Sequence, residues 1–440
     1  MCFYRALRVY PTPVELIIIY QTTVPEPVFK IVMEMTQLDV KERVEGYYDH
    51  FPEKSMNVSV KPIDVPTSDG KVLRRRALVV NKDFSAGEVI YKEQPVIAAL
   101  DADLEGKGTH CSHCLRQINK GMAIRPDSDL LNSVYCSKEC QVNSKAQSQN
   151  LLFGSEPAVP PELRSEASGG SEIAHKAAQE KFLEFIKTDP KLAPLLVARF
   201  VARNVSAELA KLTPRSAGSP KQHDGLEYTL FDHVERLRYL EIEAANEGWA
   251  PLQAVLETAM PGLSEFLTDE RFATLLGKMA YNAFGVTFGG GRDDKPLSIE
   301  RPEDIERTRT PYGTSKQVGA GLYTVSSYTG HSCEPSARPS FSGGTAELHL
   351  IANRDLKAGD ELTVAFVDVS KHDDESVVEG RRRRRMELAR GWRFACTCAR
   401  CEAEAPSEGD STPVQKDESK VEDSVKHLEE RESQAQAAQI

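Results

Sequence analysis

Tryptophan is nearly missing from this chain of 440 residues, with two copies, and aromatic residues make up only 7% of it. Long apolar runs are missing as well. The most apolar early patch, Val14 to Tyr20, is broken by Glu15 and falls well short of the roughly 20 residues that a spanning helix needs. It also lacks the uninterrupted core and small-residue cleavage site of a signal peptide. The patch is therefore expected to be a poorly ordered leader, with Met33 or Met35 as an alternative start. A basic excess is absent too: the formal net charge is -11. Sequence-independent affinity for phosphate comes mainly from accumulated Lys and Arg, so a general nucleic-acid binder is disfavoured. The charge is uneven, because residues 402 to 440 hold eleven acids against four bases. That stretch is expected to be a disordered acidic tail. The acidic balance suits a basic protein tail as partner, and no membrane partner is indicated.

What remains is an ordinary globular composition, 40% hydrophobic and long enough for two or three domains. Its nine cysteines are Cys2, Cys111, Cys114, Cys136, Cys140, Cys333, Cys396, Cys398 and Cys401. Eight fall into two groups with short metal-type spacings, the pattern of reduced intracellular chains and not of a secreted disulfide framework. In the first group, Cys111-x2-Cys114 and Cys136-x3-Cys140 form two knuckles able to converge on one Zn²⁺. Four reduced thiols without metal are the alternative. In the second, Cys396, Cys398 and Cys401 supply three thiolates, and tetrahedral zinc needs a fourth, for which Cys333 is the candidate.

Along the chain, residues 36 to 56 suit a short helix ended by Pro52. Strands then take over at Ala77–Val80, Val89–Tyr91 and Val96–Leu100, around a turn in which Gly87 takes positive φ. The turn has a near copy: Asn81 to Glu88 reads much like Asn353 to Asp360. This predicts one strand-turn-strand device used twice in a β-rich domain whose halves are split by an insertion. Residues 146–171 look like a linker, and helices dominate from Phe182 to Ala283, with Val197, Phe200, Val201, Val205 and Leu209 at helical spacing. His233 and Arg236 read as ordinary helix positions. Gly289–Gly291 and Gly319–Gly321 lack the spacing of a phosphate cradle and read as loop glycines. The five arginines Arg381–Arg385 are open to two readings, a nuclear-localisation or acidic-partner segment, or the exposed face of a short helix through Arg390.

Read together, Gly330-His331-Ser332-Cys333-Glu334-Pro335-Ser336, Glu361 through Phe366, and Cys396-x-Cys398-x2-Cys401 resemble the SET-domain lysine methyltransferases, in the branch that also carries a MYND zinc finger. Within it, Arg382 to Leu388 followed by Gly391 to Phe394 is similar to the fungal Set-five type. The resemblance covers roughly residues 72 to 402. It implies an α+β fold, a β-rich SET domain interrupted by a truncated MYND-like finger and a helical insertion and closed by a post-SET zinc loop. The implied domains are an N-terminal extension (1–56), the first SET part (57–107), the finger (108–145), the linker (146–171), the helical insertion (172–295), the SET core (296–368), the post-SET region (369–402) and the tail (403–440). The middle cysteine pair and terminal His/Cys pair of a full MYND module are absent, so the family's ligand scheme implies one zinc in the finger and about two in the chain.

The resemblance further implies S-adenosylmethionine lying against residues 330 to 333, with Gly330, His331, Trp392 and Phe394 as its contacts. His331 would act largely through its backbone. Trp392 would sit near the adenine or the lysine channel, or alternatively serve as core packing. The substrate would be a histone tail or other lysine-containing protein, touching chromatin only indirectly, with the chain acting as a monomer in nucleus and cytoplasm.

Four positions depart from the family pattern. Gly330 and Ser336 replace the motif's two asparagines, Phe366 stands at the catalytic tyrosine's place, and Arg74-Arg75-Arg76-Ala77 replaces a Gly-x-Gly. Tyr323 or Tyr328 is expected to supply the missing hydroxyl. Two functions follow: a protein-lysine methyltransferase, or the same scaffold as a chromatin or protein adaptor with an eroded donor pocket. A nucleic-acid-binding zinc protein is a third, disfavoured by the nearly balanced charge from Cys111 to Cys140.

Overall fold

The computed structural model describes Phe3 and residues 13–66, 72–119, 121–127, 129–155, 171–188, 191–212, 228–242, 249–259, 267–296, 301 and 305–405. The acidic tail expected from 403 lies outside the described residues beyond 405.

Among the described residues, four small sheets form the β-rich part. β1 (Val58–Pro66) and β2 (Val72–Val80) pair antiparallel, Val58 opposite Val80. Their alternate residues Val58, Val60, Leu78 and Val80 point into the core, as the two-residue period of a strand dictates. β3 (Val89–Glu93) pairs with β9 (Leu348–Ala352), which also holds β8 (Ala337–Ser340). β4 (Ile97–Leu100) pairs with β6 (Gly319–Leu322), flanked by β5 (Phe284–Val286). A short parallel pair joins β7 (Gly330–His331) to β10 (Thr363–Val364). Because β3 and β4 precede the insertion and their partners β9 and β6 follow it, the sheets rejoin two halves more than two hundred residues apart in sequence.

The repeated turn seals that junction. Each copy binds the other: Phe84 and Leu356 exchange backbone hydrogen bonds of 3.0 and 2.8 Å. Ala86 N–H donates to Asp355 and Ala358 N–H donates to Asp83, at 2.9 and 3.0 Å. Gly87 and Gly359 sit at φ +85° and +97°, where a Cβ would be strained. A device used twice is thus also a device paired with itself.

The longer helices among the described residues are α1 (Pro13–Thr23), α2 (Glu26–Glu45), α3 (Lys138–Ser144), α4 (Ser171–Thr188), α5 (Leu192–Leu212), α6 (Ala250–Ala259), α7 (Asp269–Asn282) and α8 (Val377–Trp392). α5 buries Leu196, Val197 and Phe200 and lies on β4, whose Ala98 carbonyl accepts from Arg199. The patch expected as a poorly ordered leader is instead the helix α1, packed through Tyr20 against Val32 of α2. After α3 the chain continues helically to Phe153, so the stretch read as linker from 146 starts as helix, with Leu151, Leu152 and Phe153 in the core. Gly319 and Gly321 lie in a strand and not in a loop: a Cβ at Gly319 would meet the Ala99 carbonyl at 2.2 Å.

Candidate active site and zinc centres

Both cysteine groups close. The sulfurs of Cys111, Cys114, Cys136 and Cys140 lie within 4.8 Å of one another, as do those of Cys333, Cys396, Cys398 and Cys401. Cys114–Cys136, Cys136–Cys140, Cys333–Cys401 and Cys333–Cys396 stand at 3.6, 3.7, 3.5 and 4.0 Å. Four sulfurs at Zn–S distance around one ion stand ~3.8 Å apart, so both sets fit zinc. In the finger, α3 begins at a Ser137 cap that accepts from Cys140 N–H at 3.1 Å. The cap fixes the second knuckle by local sequence alone.

The second centre is assembled from afar. α8 starts at a capping box of Ser376 and Glu379 and ends at Arg393, φ +54°. That left-handed residue turns the chain back, delivering Cys396, Cys398 and Cys401 onto Cys333 beside β7. The arginine run holds this arrangement. Arg381, Arg384 and Arg385 are buried; Arg381 donates to the Cys401 carbonyl at 2.7 Å, and Arg384 pairs with Glu404. Burial works against the Arg384 charge, but its bond to Glu404 and the nearby Cys333 sulfur hold it above its ordinary pKa. Arg383 grips Glu375 and the carbonyls of Asp368 and Ser370. The helix expected through Arg390 is present, but the run is not its exposed face. Arg381, Arg383 and Arg384 are internal ties, with the Arg384 charge beside Cys333.

Phe366 is the hub on the other side of Cys333. His331 accepts from Phe366 N–H on Nδ1 at 3.1 Å and turns Nε2 toward Cys333 Sγ at 3.5 Å. Burial pushes its pKa down to about 4, so the ring is neutral, with its proton on the sulfur-facing nitrogen. The side chain, beyond the backbone expected to act, therefore joins the zinc centre to Phe366. The Phe366 ring stands 5.4 Å from Trp392 and 6.3 Å from Phe394. Trp392 is 1% exposed and its indole donates to the Tyr281 carbonyl at 3.0 Å. It packs the back wall of the site and has no open face for an adenine.

The expected tyrosines stand elsewhere. Tyr323 is fully buried and donates to the Ala346 carbonyl at 2.5 Å. Tyr328 points toward Tyr48, with 3.2 Å between hydroxyls, in an aromatic group with Tyr47 and Phe51. Burial raises both hydroxyls well above the ordinary tyrosine range. Neither ring is paired with Phe366. His233 and Arg236 belong to the Tyr47 group: His233 Nδ1 lies 2.6 Å from the Tyr47 hydroxyl, and Arg236 stacks 4.2 Å over its ring.

What lies against Phe366 is Arg309, a residue absent from the sequence-based expectations. Its guanidinium is centred 4.3 Å over the Phe366 ring and donates to the Tyr281 and Ser327 carbonyls and the Asn282 amide oxygen, each at 3.0 Å. No motif marks Arg309; only the tertiary pairing of 309 with 283 and 285 places it there.

Gly330 has its own neighbour. A Cβ there would stand 2.6 Å from the Glu361 carboxylate, which pairs with Arg75 at 2.8 Å. The glycine that replaces asparagine thus makes room for an ion pair between two motif stretches. Gly330 and His331 remain half-buried. The Arg75–Glu361 pair and Phe394, whose ring stands 6.0 Å from that of His331, flank this strip. Ser336 takes up its position by accepting from Thr363 N–H and donating to the Glu361 carbonyl, at 2.9 and 3.0 Å.

Beside this site lies a cleft of about 400 Å³, walled by Gly285, Thr287, Thr310, Tyr312, Arg338 and Ser340. Thr310 N–H donates to the Phe366 carbonyl at 3.3 Å, so cleft and hub share one backbone link.

The SET domain model matches residues 75–367, about two thirds of the chain. The chain belongs to the SET-domain family. A second model, the MAS20 protein import receptor, matches residues 1–49, which hold α1 and α2. The SET chain is 24% identical to the histone-lysine N-methyltransferase ATXR4 of Arabidopsis thaliana, over 74% of this chain and 83% of the relative. It is 23% identical to the protein-lysine N-trimethyltransferase SMYD5 of Mus musculus, over 76% and 85%. With the histone-lysine N-methyltransferase SET5 of Saccharomyces cerevisiae it shares 24% identity, over 82% and 65%. The α+β SET architecture, with two four-cysteine clusters that fit zinc, agrees with this membership. Among the described residues no helix is long and apolar enough to cross a membrane.

Proposed function

We propose that this SET protein is an S-adenosylmethionine-dependent protein-lysine N-methyltransferase whose substrates include histone tails. The observation that carries the reading is the closure of the second four-cysteine cluster over the Gly330–Ser336 stretch, wired to Phe366 through His331. A zinc loop bound to that strip serves the donor more readily than a plain scaffold, and the relatives' names agree.

The donor, when bound, supplies a methyl group on a sulfonium. Arg75, Glu361, Gly330, His331 and Phe394 would hold it. The chain's part is positional. A lysine side chain has an ordinary pKa near 10.4 and reacts only as the neutral amine. The buried ring of Phe366 excludes water and favours loss of the amine's proton by desolvation. The polar cleft through Thr287, Thr310 and Ser340 lies within the 300–1,000 Å³ range of ordinary ligand sites. It would seat the neighbouring residues of the substrate. Chromatin is reached through the protein substrate, and nucleus and cytoplasm suit that role.

The test is calorimetry of S-adenosylmethionine on zinc-loaded protein, followed by mass spectrometry of histone-tail peptides. Micromolar donor binding and a 14 Da gain on lysine are the expected results. Folded, zinc-loaded protein that ignores millimolar donor overturns the reading. A second reading, a protein-binding adaptor on the same scaffold, is favoured by one observation: Phe366 offers no hydroxyl, and neither Tyr323 nor Tyr328 replaces it.

A further inference from the structure

Buried charges are ordinarily paired, because taking an ion out of water costs several kcal/mol. Arg309 is 1% exposed, yet all three of its polar partners are neutral: the Tyr281 carbonyl, the Ser327 carbonyl and the Asn282 amide oxygen. Three aromatic rings also surround it. Its guanidinium carbon lies 4.3 Å from the centre of Phe366, 5.2 Å from Tyr281 and 5.4 Å from Phe284. Carbonyl oxygens with aromatic faces and no counter-ion make the environment that selects a cation by ring quadrupole and dipole. Tyr281 and Asn282 end α7, and the partial negative charge of that helix C-terminus adds to the pull on a cation. The enclosure is also rigid. Trp392 shares the Tyr281 carbonyl, and Arg309 is tied by its backbone to Ala283 and Gly285 at 2.8 and 3.1 Å.

We infer that these residues form a cation cage for an alkylammonium or alkylguanidinium group, and that Arg309 is its internal occupant, closing the site against an incoming side chain. The inference rests on the methyltransferase reading only for its meaning, since Phe366 stands at the place of the family's catalytic tyrosine. In that setting Arg309 holds the lysine's place, and turnover requires its side chain to swing out. Accessible lysines then compete with a tethered arginine, which makes the chain a slow enzyme until a partner or substrate displaces it.

The experiment compares wild type, Arg309→Ala, Arg309→Lys and Arg309→Met as zinc-loaded full-length chains, with n-butylammonium as probe and uncharged n-butanol as control. Emptying the cage is expected to make butylammonium bind to Arg309→Ala about tenfold more tightly than to wild type, the effect of a desolvated cation–π site. Butanol should show no such preference. Equal binding of butylammonium to both proteins, or equal binding of butanol and butylammonium to Arg309→Ala, overturns the inference. Should Arg309→Ala fail to fold, the melting temperatures of the other two decide. A cation cage places Arg309→Lys above Arg309→Met, whereas an apolar core position places Arg309→Met level or above and ends the idea. Donor binding is read separately on each protein. Butylammonium entry without donor affinity keeps the cage and ends the methyltransferase reading, and donor affinity without entry does the reverse.

Discussion

The two cysteine clusters use the same ligand set in opposite ways. The first takes all four sulfurs from one stretch of thirty residues, Cys111 to Cys140, and packs only a private core of Ile118, Val134 and Tyr135. The second takes one sulfur from Cys333 and three from Cys396 onward, and its cysteines belong to the main core. Around it stand Arg381, Arg400 and His331, each bonded to a ligand residue's sulfur or carbonyl, with the Arg384 charge beside Cys333. A metal that closes a local loop stabilises that loop. A metal that joins distant segments positions whatever lies between them, here Phe366 and the Gly330 strip.

The comparison is broken most forcefully at Cys398. Cys398→Ala removes a ligand from the long-range centre and is expected to abolish measurable donor binding, with release of about one zinc per chain, as structural zinc carries folding free energy outright. Calorimetry with metal analysis checks it, and intact donor affinity in a one-zinc protein would show that the loop does not form the site. His331→Phe comes next. It keeps an aromatic ring but removes both the acceptor for Phe366 N–H and the proton aimed at Cys333. A loss of about tenfold in donor affinity is expected, with zinc weakened at the second centre, the usual scale for partners outside a metal's own ligands.

How much of this was legible beforehand follows from where each signal lives. Metal spacings are local, so both clusters, and even the long reach of Cys333, could be read from residue types alone. Strand alternation and the doubled turn revealed the split β domain, and only the mutual pairing of Asp83 and Asp355 with the opposite turn needed coordinates. The arginine run misled because a charge run is usually a solvated face. At Arg381 and Arg384 the partners, the Cys401 carbonyl and Glu404, lie twenty residues on, across the zinc loop. Arg309 was invisible for the same reason: the two arginines of Glu306–Pro311 form no period or motif, and the cage around Arg309 comes from α7, β5, the Ser327 turn and Phe366. Tyr323 and Tyr328 were chosen by nearness in sequence to the motif, but strand and turn geometry sends their hydroxyls to Ala346 and Tyr48.

A finer cut distinguishes the counter-charge from the ligands. Arg384→Met keeps the buried volume of the side chain but withdraws the positive charge beside Cys333. Zinc affinity of the second centre is expected to fall about tenfold to a hundredfold while the finger's is unchanged. Competitive chelator titration resolves the two ions. Equal weakening of both would mean that Arg384 supports the fold in general, and no weakening would mean that its bond to Glu404 is its whole role.

The smallest effect is expected at the finger itself, and it tests the claim of privacy. Cys114→Ala should release the finger's zinc and leave donor affinity within about twofold of wild type, because none of the four sulfurs reaches the Gly330 strip. One route could defeat this. The Cys114 carbonyl accepts from Ala346 N–H at 2.8 Å, and the Ala346 carbonyl in turn accepts from Tyr323. If the finger unravels without metal, that chain of bonds loosens β9 and, through its neighbours, the wall behind Phe284. A large loss of donor affinity in Cys114→Ala, with the second zinc still bound, would therefore show that the finger braces the site through Ala346. The contrast would then lie in distance alone: one centre touches the site, and the other acts on it through two hydrogen bonds.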